Sequence, residues 1–248
     1  MIRSRNALVV YIGILLVGCA PQSKPPIAPI GGFPENFPTA LYTSAPAESV
    51  YRVVPGRASL ILKVYRTGTL AALGHNHVIT TDAIDGFIYL ADDLATARAD
   101  LFVPVAALVV DDAAARLEAG PDFDTVPTLQ AIQGTRANML GEKLLDAEHF
   151  PFLLAHITPV HVGPESTEVM LALTVRGQAA NKSIAVAWQR RDEELLVQAS
   201  FSIDHATLSL EPFSAMGGAL RVAQTIDVAV TLVARRAAIR SAGIAPDS

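Results

Sequence analysis

Residues 59–79 read SLILKVYRTGTLAALGHNHVI. In the opening run Leu60, Leu62 and Val64 take one parity, while Ser59, Lys63 and Tyr65 take the other. Successive side chains of a strand point to opposite faces, so this run is a strand with one buried face. Small residues around 67–73 make a turn, and Gly74-His75-Asn76-His77 opens a second β-like run. Much of the remaining chain repeats the alternation, which makes the fold all-β and mainly antiparallel.

Working outward, residues 85–90 (DGFIYL) and 98–110 (RADLFVPVAALVV) read as strands, with Pro104 marking a bend or an edge. A helical insertion follows. Residues 111–118 are Ala-rich, and 128–144 place Leu129, Ile132, Leu140 and Leu144 near one helix face, with Pro127 suited to the first turn. Strands resume at 152–162, 167–176, 183–189, 195–205 and 222–234. Each carries its bulk on one parity, as in Val169, Leu171, Leu173 and Val175, or Ile184, Val186 and Trp188. About eight antiparallel strands, without βαβ alternation, predict a closed barrel. A barrel of that size holds side chains or one small ligand.

The chain has 248 residues, 51% of them hydrophobic and 17% charged, with a formal charge of −5. No cluster of Lys and Arg is present, which excludes a nucleic-acid partner because phosphate contacts need one. Arg3 and Arg5 precede an apolar run, residues 7–17, too short to span a bilayer. Leu16-Val17-Gly18-Cys19 resembles the lipobox of bacterial lipoproteins. That resemblance implies a signal peptide at 1–18, acylation of Cys19 and a lipid anchor in the bacterial cell envelope. Ala20 suits sorting to the outer membrane, facing the periplasm. Several acyl chains on Cys19 give stable membrane attachment. Cys19 is the only cysteine, so no disulfide forms within the chain and no thiol remains for catalysis or metal binding. Residues 19–48, with Pro21, Pro25, Pro26, Pro29, Pro34, Pro38 and Pro46, read as a tether onto which Phe33, Phe37 and Tyr42 can fold back. The barrel domain is expected at 49–236 and a tail at 237–248.

Three short runs carry a family resemblance: Tyr51-Arg52-Val53, LGEKLLDAEHFPF at 140–152 and LTVRG at 173–177. Together they resemble the YceI-like family of bacterial envelope proteins over roughly residues 51–236. The resemblance implies a lipocalin-like antiparallel barrel enclosing a long apolar chain: a polyisoprenoid, a prenyl quinone or a fatty amide. It implies no catalytic set. The chain departs from the family pattern at residues 74–77 and 212–220. The lining expected for the ligand is Leu60, Leu62, Val64, Leu171, Leu173, Val186, Trp188, Phe201, Val228 and Val230. Strand parity alone leaves open which face lies inside.

His75 and His77 stand at i and i+2, a spacing that lets two imidazoles share one Zn or Cu ion. A third ligand would come from His149, His156, His161, His205 or a carboxylate. The alternative is that Gly74 turns the chain while the histidines bind loop carbonyls or face water. Asp204-His205 fits part of a hydrolytic triad, but no nucleophile accompanies it, and no phosphate or dinucleotide motif appears. The expectation is therefore a non-catalytic, membrane-tethered carrier with a long-chain lipid ligand and no cofactor beyond a bound polyisoprenoid or quinone lipid. A homodimer is one assembly open to it. The rival expectations are a metal-binding envelope protein using His75 and His77, and a structural lipoprotein without ligand.

Overall fold

The computed structural model describes residues 32–162 and 167–237. The signal peptide, Cys19, the tether up to residue 31 and the tail from 238 lie outside the described residues. The elements are α1 (Thr39–Thr43), β1 (Val50–Thr67), β2 (His77–Thr81), β3 (Asp85–Tyr89), β4 (Arg98–Pro104), β5 (Val109–Val110), α2 (Ala113–Ala119), α3 (Leu129–Leu140), β6 (Phe152–Val162), β7 (Thr167–Val175), β8 (Gln178–Arg191), β9 (Glu194–Asp204), β10 (Ser214–Ala215) and β11 (Leu220–Arg236).

Eight strands close a barrel in the order β1-β3-β4-β6-β7-β8-β9-β11, and β11 returns to β1. Every pairing is antiparallel. β1 makes closure possible because it serves two neighbours on one edge. Val50–Arg52 pair with β3, whereas Leu60–Val64 pair with β2; the opposite edge runs along β11 from Tyr51↔Arg236 to Thr67↔Arg221. The register slips between Val53 and Ala58, where Gly56 has φ +73°, and this bulge bends the strand. β2 and β5 extend the sheet beyond β1, and β10 is a short addition to β11. The seams differ in length: β1 and β3 pair only through Val50–Arg52 and Tyr89–Phe87, and β8 and β9 only through Ala187–Arg191 and Gln198–Glu194.

Leu60, Leu62 and Val64 stand in register with Val230, Val228 and Ile226 and face inward. On β9 the inward Val197, Phe201 and Ile203 alternate with Gln198, Ser200 and Ser202 outside. Membrane-spanning barrels have the reverse pattern, with an apolar exterior. No helix among the described residues is long and apolar enough to cross a membrane.

The expected strand over 98–110 is two strands. Pro104 closes β4, and a single 3₁₀ turn at Val105–Ala107 precedes β5. α2 starts where Asp112 accepts the N–H groups of Ala114 and Ala115 at 3.0 and 3.1 Å. α3 is capped by Thr128, so Pro127 precedes the cap instead of entering the first turn. The predicted buried face of this helix is also only half realised. Met139 and Leu140 are buried and Ile132 packs on the core, but Leu129 is 77% exposed and Leu144 lies past the helix. α3 is held by its C-terminal end, so its first turn projects into solvent. β8 and β11 outrun their apolar patterns because antiparallel rungs carry polar residues such as Asn181 and Arg235.

The turn after α3 and the β7–β8 hairpin meet. Leu145 and Ala147 donate to the carbonyls of Met139 and Leu140 at 3.1 and 3.0 Å, and Phe150 donates to that of Asp146 at 2.8 Å. Phe150 then lies on Gly177, where a Cβ would come within 2.8 Å of its ring. Arg176 and Gly177 have φ of +51° and +70°, both positive as in a two-residue type I′ hairpin. The part of the expected tether described here, residues 32–48, is seated on the outer wall. Phe33 stacks on Phe87 at 5.5 Å, Phe37 meets Phe102 edge-on at 5.2 Å, and Tyr42 stacks on Phe87 at 5.1 Å. The Tyr42 hydroxyl donates to Asp100 at 2.6 Å, and burial and this contact push its pKa up.

Replacing Gly177 by Val should lower unfolding stability by about 1–3 kcal/mol, through left-handed strain and displacement of Phe150. A urea midpoint unchanged from wild type would contradict this account of the hairpin.

Candidate ligand cavity

The barrel interior is not filled by its own side chains. It encloses a cavity of about 470 Å³, within the ~300–1,000 Å³ range of small-molecule sites. All ten residues expected on its wall line it: Leu60, Leu62 and Val64 from β1, Leu171 and Leu173 from β7, Val186 and Trp188 from β8, Phe201 from β9, and Val228 and Val230 from β11. Ile79, Leu101, Val103, Leu153, Val197 and Ile203 complete much of the rest.

The strand register sorts the two ends. At one end the β8–β9 turn, the start of β1 and the segment after β3 come together, and Leu94, Ala97, Ile157, Trp188 and Leu195 line the space. Trp188 donates its indole N–H to Thr167 Oγ1 at 3.1 Å. At the other end lie the last residues of β1, the start of β2, the first residues of β11 and the side of α3. Arg98, Tyr89 and Thr167 line the first end, and the rest of the charged and polar lining is at the second: Arg66, His75, His77, His205, Arg221, Thr135 and Asn138.

A buried ion network builds this second end. Asp111, with φ +57° just after β5, accepts from His77 Nδ1 at 2.6 Å, from the Val78 N–H at 3.0 Å and from Arg116 Nη1 at 2.5 Å. Its side chain is fully buried and that of Arg116 is 7% exposed. Arg116 also donates to the carbonyls of Asn76 and Phe123 at 2.8 and 2.7 Å, and to that of Thr125. One guanidinium thereby ties α2 and the segment after it to the chain entering β2. Burial alone would raise the Asp111 pKa, but the hydrogen bonds from His77, Val78 and Arg116 outweigh it and hold the carboxyl below its usual range. Arg66 reaches the Gly74 carbonyl through Nη1, and its backbone N–H donates to Asn76 Oδ1 at 2.9 Å. Gly74 has φ −108°, open to any residue; what it supplies is room for Leu220, whose Cδ1 would lie 2.9 Å from an added Cβ.

His75 and His77 thus share the cavity wall, with ring centroids 6.3 Å apart. His77 is held by a carboxylate, not by a loop carbonyl. The His75 pKa is lowered, first by burial and then by His77, Arg66 and Arg116, with Asp111 opposing. Of the possible third ligands, His149 pairs with Asp146 at 2.8 Å and His156 with Asp100 at 2.7 Å on the outer wall, His161 lies near the far end of β6, and His205 lines the cavity. Among the described residues no three His, Cys, Asp or Glu side chains are grouped to hold a metal ion. Asp204 and His205 do not pair: Asp204 accepts from Thr225 Oγ1 at 2.6 Å, while His205 Nδ1 donates to the Gln224 carbonyl at 2.8 Å.

Residue patterns did not point to Asp111, Arg116 or Arg66. Asp111 and Arg116 fall in a stretch that reads only as a short Ala-rich helix, and only the return of that helix onto β2 reveals their partners.

No protein-family model matches the sequence, and no curated protein matches it. Among solved structures, BcnA of Burkholderia cenocepacia superposes with a TM-score of 0.52 at 12% identity, over 73% of this chain and 98% of BcnA. The YCEI protein of Campylobacter jejuni gives a TM-score of 0.46 at 9% identity, over 64% of this chain and 84% of its own. At such identity the likeness to BcnA is one of fold, and that fold is the antiparallel barrel implied by the sequence resemblance.

Asp111→Asn should cost about 3–5 kcal/mol at neutral pH, because it leaves Arg116 buried without its counter-charge. The folded-state pKa of Asp111 is depressed, so its contribution is present above ~4 and lost as the pH falls through the lower folded value. Urea unfolding of both proteins at pH 7 and pH 3 reads the gap and its narrowing in acid; a gap under ~1 kcal/mol at pH 7 would contradict the assignment.

Proposed function

We propose that this protein is a non-catalytic carrier that encloses the tail of a long-chain amphiphile in its barrel and is tethered to the bacterial envelope through Cys19. The observation that carries the reading is an apolar cavity of about 470 Å³ with three histidines and two of its three arginines at one end. That is the shape of a site for a molecule with an oily tail and a polar head. Burial supplies the affinity. At ~0.8 kcal/mol per methylene, a sixteen-carbon chain gives roughly 13 kcal/mol. Against this stands an association cost of about 4 kcal/mol or more, so most of the tail must be enclosed for tight binding. Polyisoprenoids, prenyl quinones and fatty amides all satisfy this requirement, and the lipid anchor would keep the carrier beside the membrane that stores them.

The test is native mass spectrometry with solvent extraction of the protein purified from a bacterial envelope. One long-chain species per barrel is expected, and a Val230→Trp variant, which fills the cavity while keeping the melting temperature within a few degrees, should carry at least tenfold less. A wild-type barrel that is empty and takes up no long-chain amphiphile would end the carrier reading.

A further inference from the structure

We infer that the polar end of the cavity is built for an oxyanion, so that the enclosed amphiphile carries a carboxylate or phosphate head. The inference rests on the carrier reading above and adds the chemistry of the head group.

The charge of the wall is one-sided. Arg66, Arg98 and Arg221 line the cavity with His75, His77 and His205, and among the described residues no Asp or Glu lines it. Arg98 belongs to the other end and is occupied there, donating to the Leu41 carbonyl at 3.1 Å and lying on the rings of Tyr42 and Tyr89. Arg66 is different. It is half-buried, follows the inward parity of Leu60, Leu62 and Val64, and makes one side-chain hydrogen bond, to a carbonyl, with no carboxylate partner among the described residues. A half-buried guanidinium without a counter-charge is costly unless an anion completes it, and a planar fork is the geometry that suits carboxylate or phosphate.

Asp111, the acid bonded to His77 at this end, cannot serve that purpose, and Glu211 shares an outer pocket with Thr67 and Arg221. Asp111 is fully buried and already accepts from His77, Val78 and Arg116. His77 gives its Nδ1–H to Asp111, which leaves Nε2 as its remaining polar atom. Burial first, and then His77, Arg66 and Arg116, lower the His75 pKa, with Asp111 opposing. Arg221, exposed on the rim beside Thr67, adds a second guanidinium at the entrance.

Three probes of equal tail length test the inference on the full chain: palmitic acid, hexadecyl phosphate and hexadecanol, measured by displacement of a fluorescent lipid at pH 7.5. The anionic probe with the better fit should bind at least tenfold tighter than the alcohol, and the stronger of the two identifies the head as carboxylate or phosphate. Arg66→Gln should reduce that ratio to about one, Arg66→Lys should keep part of it, and Arg191→Gln on the outer wall should leave it unchanged. By NMR titration, the His75 pKa should rise when the acid binds and stay where it is with the alcohol. Equal binding of all three probes would overturn the oxyanion head while leaving the carrier intact. Binding of none would overturn both.

Discussion

Closure of β1 onto β11 is the constraint on which everything else depends. The two strands are the longest among the described residues and pair from Tyr51↔Arg236 to Thr67↔Arg221. A sheet of this kind left open would expose two edges and an apolar face; closed, it has an interior whose side chains face one another across a void. The bulge at Gly56 lets a single strand bend far enough to hold β3 with its first residues and β2 with its later ones. The cavity follows from that geometry, because inward Leu and Val side chains meet around the wall without reaching the axis.

The two ends of the barrel are then finished by different means. One is lined mainly by apolar side chains, and the N-terminal segment packs its aromatics on the outside of β3 and β4. The other is finished by charge. Burying Arg116 and Asp111 together is tolerable because each is hydrogen-bonded several times over, and the pair contributes positional definition more than net stability. It fixes His77, and with it the first rung of β2, in a place that a purely apolar core would leave adjustable. The polar end of the cavity is thus rigid on the side of β2 and α2.

Much of the wall was legible in the sequence, because period-2 alternation is a local property. Leu171 and Leu173, or Val228 and Val230, announce a shared face whatever the strand pairs with. The unread part depends on contacts between distant residues. His77 and Asp111 are 34 positions apart, and the helix that returns Arg116 to them has the composition of any short surface helix. His75 and His77 drew attention as a metal pair because their spacing is conspicuous, yet His77 is held by an ion pair. Leu129 misled for the opposite reason: helical spacing reports which residues share a face, and that face at the start of α3 meets solvent.

The short seams, β8–β9 among them, give the molecule an asymmetry that neither end accounts for. β11 and β9 are laddered through eleven residue pairs and β8 and β9 through five, so the wall is uneven around its circumference. The seam between β1 and β3 is shorter still, with three pairs, and amides on such short seams are expected to exchange through smaller fluctuations than those on β11. The unpaired stretches of β8 and β9 flank Phe201 and Val186, which belong to the cavity wall. Between β8 and β9 the wall is therefore laddered only beside the hairpin, and it is held above that point by what each strand makes with its other neighbour, β7 for β8 and β11 for β9.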